Sequence, residues 1–429
     1  MMKNFIPTLL ILSLCSFSFA QQSQVQVPKK MEQELTKLAN HPKIKKAFQT
    51  IEDLESLTIS RHIELTEIPA PPFKETLRGL AVKKYFEDLG LADVHVDNEG
   101  NVLGWIYGTQ GNQTIAVDAH LDTVFPEGTD VQVRIVNDTL KAPGIADDTR
   151  GLSMLLTIIQ TINSQQIKPK DNLLFVASVG EEGPGDLRGM KYLFRDGGPK
   201  IDRFISIDGG TIGRINNQAL GSYRYRVTFN GPGGHSWGAF GLANPHHALG
   251  AAIHKFVEKA DAYTEQGPKT SYNVGIVSGG TSVNSIPFIS QMDIDVRSID
   301  PSRLDIMETF LKEAVDEALN DQNQRKRRGE SLTAEIEKIG NRPSGATDIA
   351  SDLVQRAWGA TLLFGAKPEL TIGSTNANIP IAKGIPAITV GIGGKASNAH
   401  SLDEWWINEN GHQMIQLVLL IALSQAGGI

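Results

Sequence analysis

Short apolar runs recur along the chain, and each one stops at polar residues that can bind a metal. The runs are Ile115–Val117, Leu173–Val179, Phe204–Ile207 and Ala387–Ile392. Each run is short enough for a strand that is buried on both faces, and helical patterns such as Leu152–Ile162 lie between them. The chain is therefore predicted to have an α/β fold with a mostly parallel sheet.

Ligand sites in parallel sheets form at the carboxyl ends of the strands. The polar residues that follow the four runs are His120 with Asp122, Glu181 with Glu182, Asp208, and His400. Residues two apart in a strand point to one face, so His120 and Asp122 can be directed together. Two histidines and several acids at one edge of a sheet are typical of a zinc site.

A glycine-bearing loop places two adjacent acids, Asp147 and Asp148, in front of the Leu152–Ile162 helix. Acids in a first helical turn are favoured by the helix dipole alone. Near His120 and Asp122 that explanation is insufficient, because a carboxylate has two oxygens and can bridge two cations. A hydrolase with a pair of metal ions needs such a bridge.

Length and charge limit the possible functions. A chain of 429 residues is longer than one core usually fills, which predicts two domains. The net charge of -7 provides no basic surface for nucleic acid or an anionic membrane. The basic run Arg325–Arg328 lies in a polar stretch and is interpreted as a solvated loop.

The first twenty residues have the pattern of a secretory signal peptide. Lys3 precedes an apolar core at Phe5–Phe19, and Ser18-Phe19-Ala20 forms a small-x-small cleavage site. The core is too short for a comfortable membrane span, so the mature chain is predicted to be periplasmic or secreted and free of the membrane. Lipid attachment at Cys15 is the alternative, but Leu14 stands where a lipoprotein signal has a small residue.

From about Ile63 to about Trp405 the chain resembles the M20 metallopeptidases, which include tripeptide aminopeptidases, glutamate carboxypeptidases and acyl-amino-acid deacylases. The motifs that carry the resemblance stand in the family's order. They are His-Leu-Asp-Thr-Val at His120, Gly-Ile-Ala-Asp-Asp-Thr-Arg-Gly at Gly144, Gly-Glu-Glu-Gly at Gly180 and a late histidine at His400.

The resemblance implies two zinc ions per subunit, although nitrogen and oxygen ligands would also accept manganese or cobalt. The implied ligands are His120 and Asp208 for one ion, Glu182 and His400 for the other, and Asp147 as the bridge. Asp122 would support His120, and Glu181 would be the general base for a metal-bridging hydroxide. Two zinc ions, three carboxylate ligands and one hydroxide give a nearly neutral site.

The family's second domain is an inserted α/β lid that usually dimerises, and the resemblance therefore implies a homodimer through this lid. The chain shows a matching βαββαβ order, which is ferredoxin-like. Its predicted elements are Leu220–Phe229, Pro245–Ala260, Tyr272–Val277, Ile289–Val296, Arg303–Leu319 and Leu332–Ile339. The predicted domains are residues 29–213 and 342–429 for catalysis and residues 214–341 for the insertion.

Further resemblance implies residues that contact the substrate. His235 would stabilise the oxyanion, and Asn284 and Arg297 would hold the substrate's polar end. The segment with Ser374 and Asn376 matches a family loop, but Asn376 replaces the usual acid. If that acid binds a substrate ammonium, its replacement argues against an aminopeptidase.

An aspartate at position 208 is associated in the family with aminopeptidases and dipeptidases. The predicted function is therefore hydrolysis of small peptides with a free amino end. A carboxypeptidase or an N-acyl-amino-acid deacylase of the same family is the alternative, with an acyl-amino acid as the substrate.

Two other functions fit the sequence less well. Gly234-His235-Ser236-Trp237-Gly238 matches the G-x-S-x-G nucleophile elbow of serine hydrolases, with Ser236 as the nucleophile. The elbow requires a strand that runs directly into a sharp turn and a helix, and loops interrupt both junctions here. A binding protein without activity would be expected to lose Glu181 or a metal ligand, and none is missing.

Overall fold

The computed structural model describes residues 25–429, so the predicted signal peptide at residues 1–20, and Cys15 within it, lie outside the described residues. The helices are α1 (Lys29–Ala39), α2 (Pro42–Asp53), α3 (Glu55–Thr66), α4 (Thr76–Asp88), α5 (Thr149–Ser164), α6 (Arg188–Leu193), α7 (Pro245–Thr264), α8 (Pro301–Arg325), α9 (Asp352–Leu363), α10 (Asn378–Ala382) and α11 (Gly411–Gln425). Within this part of the chain, no helix is long and apolar enough to cross a membrane.

The strands alternate with these helices along the chain. They are β1 (Ala92–Val96), β2 (Val102–Ile106), β3 (Thr114–His120), β4 (Arg134–Val136), β5 (Thr139–Lys141), β6 (Asn172–Ser178), β7 (Arg203–Ile207), β8 (Arg214–Ala219), β9 (Gly221–Asn230), β10 (Gly234–His235), β11 (Thr270–Gly279), β12 (Ser285–Ile286), β13 (Ile289–Ser298), β14 (Thr333–Arg342), β15 (Gly345–Ala346), β16 (Glu369–Gly373), β17 (Ala387–Val390), β18 (Lys395–Ser397) and β19 (Trp405–Ile407).

A nine-stranded sheet forms the larger half of the fold, in the order β1-β2-β6-β3-β7-β17-β8-β15 with β16 beside β8. The central strand β3 runs parallel to both β6 and β7, and β17 runs parallel to β7. All seven residues of β3 are buried, because helices cover both faces of the sheet. The predicted α/β fold with a mostly parallel sheet is confirmed.

Helix α5 gives the large sheet most of its core on one face. Nearly all of its side chains are buried, among them Leu155 and Ile158, and they pack with Val117 from β3. Helix α11 at the end of the chain is equally buried and packs on the same side. The apolar runs are therefore buried on both sides, and the polar residues that follow them are confined to the strand ends.

A four-stranded antiparallel sheet in the order β11-β13-β9-β14 forms the inserted part. Helices α7 and α8 cover one face, and Tyr225, Val227 and Phe229 of β9 pack beneath them. The predicted βαββαβ order is present, with a small β10–β12 ribbon added to it. The observed strands and helices contain the predicted ones almost residue for residue, because period-two burial and long amphipathic helices are strong signals.

The structure corrects the predicted start of the insertion. Strand β8, which begins at Arg214, pairs with β16 and β17 of the large sheet. The inserted sheet begins only at Gly221 and ends at Arg342. The sequence does not reveal this boundary, because β8 and β9 follow each other almost without a break. The end of a strand in one sheet and the start of a strand in another therefore look like one continuous element.

A small sheet in the order β18-β19-β5-β4 completes the fold. Its strands β18 and β19 enclose the loop that carries His400, and β19 pairs with β5 just before the loop that carries Asp147. The late histidine is thereby brought next to a loop that lies more than 250 residues earlier in the chain.

Candidate metal centre

Three neighbouring parallel strands carry the candidate ligands to one edge of the large sheet. His120 is the last residue of β3, Asp208 follows β7, and Glu182 lies shortly after β6. Because β6, β3 and β7 are adjacent and parallel, their carboxyl ends meet at the same place. His120 and Glu182 are buried there, with 1% and 6% of their surfaces exposed.

Asp147 faces both histidines, one with each carboxylate oxygen. Its Oδ1 lies 2.9 Å from His120 Nε2, and its Oδ2 lies 3.1 Å from His400 Nε2. His400 Nε2 also lies 2.9 Å from Glu182 Oε1. A carboxylate placed between two imidazoles in this way can be shared by two cations.

The donor groups fall into three sets, in each of which the potential ligand atoms lie within 4.8 Å of one another. Two of them share Asp147 and are called the ligand sets here: His120 with Asp147 and Asp208, and His400 with Asp147 and Glu182. The third set is His120 with Glu181 and Glu182. Imidazole nitrogen and carboxylate oxygen are donors that zinc accepts, so these residues fit a pair of divalent cations.

Asp122 organises this edge with its backbone and its side chain. Its carbonyl oxygen lies 3.0 Å from His120 Nδ1, and with the proton on Nδ1 this bond leaves Nε2 free for a cation. Its carboxylate accepts hydrogen bonds from the backbone N–H groups of Glu181 at 3.0 Å and Glu182 at 2.8 Å. The carboxylate is 3.7 Å from His120 Nδ1, so the ring is oriented mainly by the carbonyl.

Asp148, the second acid of the Asp147-Asp148 pair, has a structural position. One oxygen accepts a hydrogen bond from Gly151 N–H at the start of α5, and the other accepts one from His120 N–H at 3.1 Å. Burial of this carboxyl raises its pKa well above the ordinary value. The preference of acids for the start of a helix therefore explains Asp148, whereas Asp147 is the residue that faces the histidines.

Glu181 lies beside the ligand sets and contacts Arg342. Burial is the largest influence on its carboxyl and, with the nearby Glu182, it raises the pKa well above the ordinary value, while Arg342 opposes the shift. Arg342 Nη1 lies 3.4 Å from Glu181 Oε1, and Nη2 donates to the Glu181 carbonyl. A carboxyl with a raised pKa is suited to carry a proton in catalysis.

Glu404 is a buried acid that the sequence did not single out. Its Oε1 accepts hydrogen bonds from the backbone N–H groups of Ala146 and Asp147, and its Oε2 accepts one from Gly144. Burial raises its pKa to about 7. The side chain thus fixes the loop that presents Asp147. Its nearness to His400 in the sequence was the available signal.

Two of the predicted substrate residues line the cleft above the ligands, and the others do not. The cleft has a volume of about 500 Å³, and Arg297 and Ser374 are part of its wall. His235 and Asn284 lie outside this wall, at the exposed β10–β12 ribbon, where Ser236 N–H donates to the Asn284 carbonyl at 2.9 Å. Within one subunit these two residues therefore do not line the cleft.

Asn376 is buried beneath the site. Its Nδ2 donates to Asp118 Oδ2 and to Ser178 Oγ, both at 2.8 Å, and only 1% of the residue is exposed. Asn376 therefore does not line the cleft, and the structure gives no support to its predicted contact with a substrate. The position faces strands β3 and β6 because a short turn leads directly into α10.

The serine-hydrolase alternative lacks a base. His235 precedes Ser236 in the chain, and its Nδ1 accepts from the backbone N–H groups of Trp237 and Gly238. Among residues 25–429, no hydrogen bond joins Ser236 Oγ to a histidine. The segment forms an exposed ribbon instead of a strand–turn–helix elbow.

The comparisons with known proteins agree with the fold and the motifs. The family model of peptidase family M20/M25/M40 matches residues 116–424. The uncharacterised protein YqjE of Bacillus subtilis (strain 168) is 25% identical over 355 residues, which cover 79% of this chain and 91% of that protein.

Solved structures show the same architecture. The aminopeptidase PepT of Bacillus cereus ATCC 10987 superposes with a TM-score of 0.68 at 22% identity, over 85% of this chain and 97% of that one. A tripeptidase of Staphylococcus aureus superposes with a TM-score of 0.69 at 21% identity, over 86% and 98%. Because the family model covers most of the described sequence, the chain belongs to peptidase family M20/M25/M40 and is a metal-dependent hydrolase.

Proposed function

We propose that this chain is an exported di-zinc peptidase that hydrolyses small peptides, most specifically an aminopeptidase or dipeptidase. The observation that carries the proposal is the position of Asp147, whose two oxygens face His120 and His400 separately. A single-metal site would not need a carboxylate shared between two imidazoles. The solved structures named above as an aminopeptidase and a tripeptidase have the same fold and support this choice.

The residues that would hold the cations are those of the two ligand sets, namely His120, Asp147, Asp208, Glu182 and His400. Bound zinc lowers the pKa of water to about 7 and polarises a carbonyl group. Manganese or cobalt would be accepted by the same donors.

The chain's own residues supply the rest of the chemistry. Glu181 takes a proton from the attacking water and delivers it to the departing amine, which its buried position beside Glu182 favours. The carboxylate of Asp122 keeps Glu181 in place by accepting a hydrogen bond from the backbone N–H of Glu181. Arg297, in the wall of the cleft, holds the substrate's carboxylate.

The choice between peptidase classes rests on Asp208. In the resemblance an aspartate at this position favours aminopeptidases and dipeptidases. The replacement of the family's acid by Asn376 no longer argues against an aminopeptidase, because the side chain of Asn376 points into the protein. A carboxypeptidase or an N-acyl-amino-acid deacylase remains the second candidate, and the arginines in the cleft wall favour it because they suit a substrate carboxylate.

Assay of the purified mature protein against free and N-acetylated dipeptides and tripeptides tests the proposal. We expect the free peptides to be cleaved, the activity to disappear with a chelator, and zinc to restore it. The Ser236→Ala variant is the matched control and should behave as the wild type. Cleavage of only the acetylated series would overturn the aminopeptidase assignment, and activity that resists chelators would overturn the metallopeptidase assignment.

We further propose export through a cleaved signal peptide at residues 1–20 and a homodimer formed by the insertion. Support for the dimer comes from β11, an edge strand whose Ile276 and Val277 are exposed. Mass spectrometry of protein from a periplasmic extract should find an amino terminus at Gln21. Light scattering should give twice the chain mass for the wild type and a smaller mass for Ile276→Lys. A monomeric wild type would refute the dimer.

A further inference from the structure

The inserted sheet presents a polar face on the side away from its helices. Along β9, Tyr225 and Val227 are buried against α7 and α8, and the alternating Ser222, Arg224 and Arg226 lie on the other face. Ser222 and Arg224 belong to the wall of the cleft above the metal centre, and Arg226 lies outside it. This face therefore leads from solvent into the cleft.

Arg226 has a carboxylate partner of its own on this face. Its Nε lies 2.9 Å from Asp293 Oδ1, and its Nη2 lies 2.7 Å from Asp293 Oδ2. The two residues face each other across β9 and β13. One arginine is thus matched by one carboxylate, in the two-point geometry that suits a guanidinium.

At the cleft the pairing is different, because two arginines share one acid. Arg224 Nε lies 3.2 Å from Asp295 Oδ1, and Arg297 Nε lies 2.7 Å from Asp295 Oδ2. Both contacts use Nε, which turns the outer edges of the two guanidiniums away from Asp295. This corner of the cleft therefore carries an excess positive charge.

The outer edges of these two arginines are only partly used by the protein. Arg224 Nη1 donates to the Gly183 carbonyl at 3.2 Å, immediately after Glu182. Among residues 25–429, Arg224 Nη2 and both Nη atoms of Arg297 make no hydrogen bond with protein. Guanidinium edges of this kind are the preferred partners of carboxylates.

The whole cleft shows the same excess. The lining arginines are Arg214, Arg224, Arg297 and Arg342, and the lining acids are Asp147, Glu181, Glu182 and Asp208. Asp295 behind the wall adds one more negative charge. Two divalent cations and one bridging hydroxide at the proposed ligands would bring three positive charges and leave two in excess. One carboxylate on a substrate would still leave one of these charges unmatched.

We propose that the cleft selects peptides whose carboxyl-terminal residue is glutamate or aspartate. Arg297 takes the terminal carboxylate, and Arg224 takes the carboxylate of the side chain. The two carboxylates of one acidic residue are close together, as are the two guanidiniums that Asp295 holds. This inference rests on the proposed function, because it assumes that the substrate's carboxyl end lies at Arg297.

Binding to an inactive protein tests the selection without hydrolysis. Isothermal titration of metal-loaded Glu181→Ala with Ala-Glu and Ala-Gln compares a charged side chain with a neutral one of the same shape. We expect Ala-Glu to bind about 10- to 100-fold more tightly, the usual worth of a charge-assisted hydrogen bond. Equal affinities would overturn the inference.

Variants identify the responsible residue. Adding Arg224→Gln to the inactive protein should bring the ratio of the two affinities close to one, and Arg224→Lys should give an intermediate ratio because the charge stays but the two-point contact is lost. Arg226→Gln is the matched control and should keep the full ratio. A full ratio in folded Arg224→Gln, verified by its thermal unfolding, would overturn the role of Arg224.

Turnover by the active enzyme separates this inference from the proposed function. The metal-loaded wild type should cleave Ala-Glu with a kcat/KM about 10-fold or more above that for Ala-Gln. Equal turnover of both dipeptides would refute the selection and leave the peptidase assignment intact. Failure to cleave either one would count against the peptidase assignment alone, because the binding ratio is measured independently.

Discussion

The backbone N–H of Asp147 donates a hydrogen bond to Glu404 Oε1 at 3.0 Å, although 257 residues separate them in the chain. Glu404 is completely buried and accepts two further backbone hydrogen bonds from the same loop. The loop that carries the proposed bridging carboxylate is therefore held by a side chain that comes from near the end of the sequence.

Replacement of Glu404 by alanine should weaken both the fold and the metal site. The three backbone donors would lose their acceptor, which costs about 1–3 kcal/mol per buried group left unpaired. Residues that orient a ligand typically change metal affinity about 10- to 100-fold. Urea unfolding and zinc titration against a competing chelator measure the two effects. Asp403→Ala, next to it and exposed, is the control. An unchanged zinc affinity in Glu404→Ala would show that the loop holds itself.

Glu181 and Glu182 should respond differently to amide substitution. Glu181→Gln should keep both metal ions and lower kcat by about 10²- to 10⁴-fold, because it removes only the proton carrier. Glu182→Gln should lose part of its metal, because a carboxylate ligand is replaced. Metal content by elemental analysis, alongside kcat, distinguishes them. Loss of metal from Glu181→Gln would mean that Glu181 is itself a ligand.

Asn376→Asp should destabilise the protein without a specific effect on the substrate. The substitution removes the donor that satisfies Asp118 and Ser178 and puts two carboxyls together in a buried place. We expect a loss of about 1–3 kcal/mol in the free energy of unfolding. The exchanged pair Asp118→Asn with Asn376→Asp should recover part of it. Normal stability with a raised KM would instead place Asn376 at the substrate.

Glu308 should make stability depend on pH in the acid range. Burial opposes ionisation of this carboxyl, but hydrogen bonds from Lys312, Lys338 and Tyr225 outweigh it and lower the pKa to about 2. The folded-state pKa lies below the ordinary 4.5, so the contribution is complete above that pH and is lost as the pH falls towards 2.

The measurement is the difference in Tm between the wild type and Glu308→Gln. We expect the wild type to be more stable at pH 6 and the difference to shrink steadily below about pH 4.5. Glu330→Gln, on an exposed loop, should show no such trend. A difference that is constant from pH 6 to pH 3 would mean that the lysines do not stabilise the charged form of Glu308.

The parts of the site that could be predicted share one physical cause. His120, Asp208 and the Glu181-Glu182 pair each follow an apolar run, and parallel strands bring such positions to a common edge. The strands and helices of the inserted domain could be predicted equally well, because burial with a period of two and long amphipathic helices leave strong patterns. The fold and the convergence of these side chains thus follow from local sequence.

Other parts depend on contacts that leave no local pattern. Glu404 and Arg342 act on backbone groups far away in the chain, and a backbone N–H looks alike at every residue. The motif around Asn376 predicts a contact with the substrate, but the direction of its side chain is set by the turn before α10. The start of the insertion leaves no clear signal, because the chain passes from one sheet to the other within a few residues.

Arg342 has a mechanical consequence. It is the last residue of β14, and its guanidinium donates hydrogen bonds to the carboxylate and to the backbone carbonyl of Glu181. A tilt of the inserted sheet would move Glu181, the proposed proton carrier, before it disturbed the histidines. Strand β14 therefore couples the orientation of the inserted domain to the position of Glu181 in the catalytic domain.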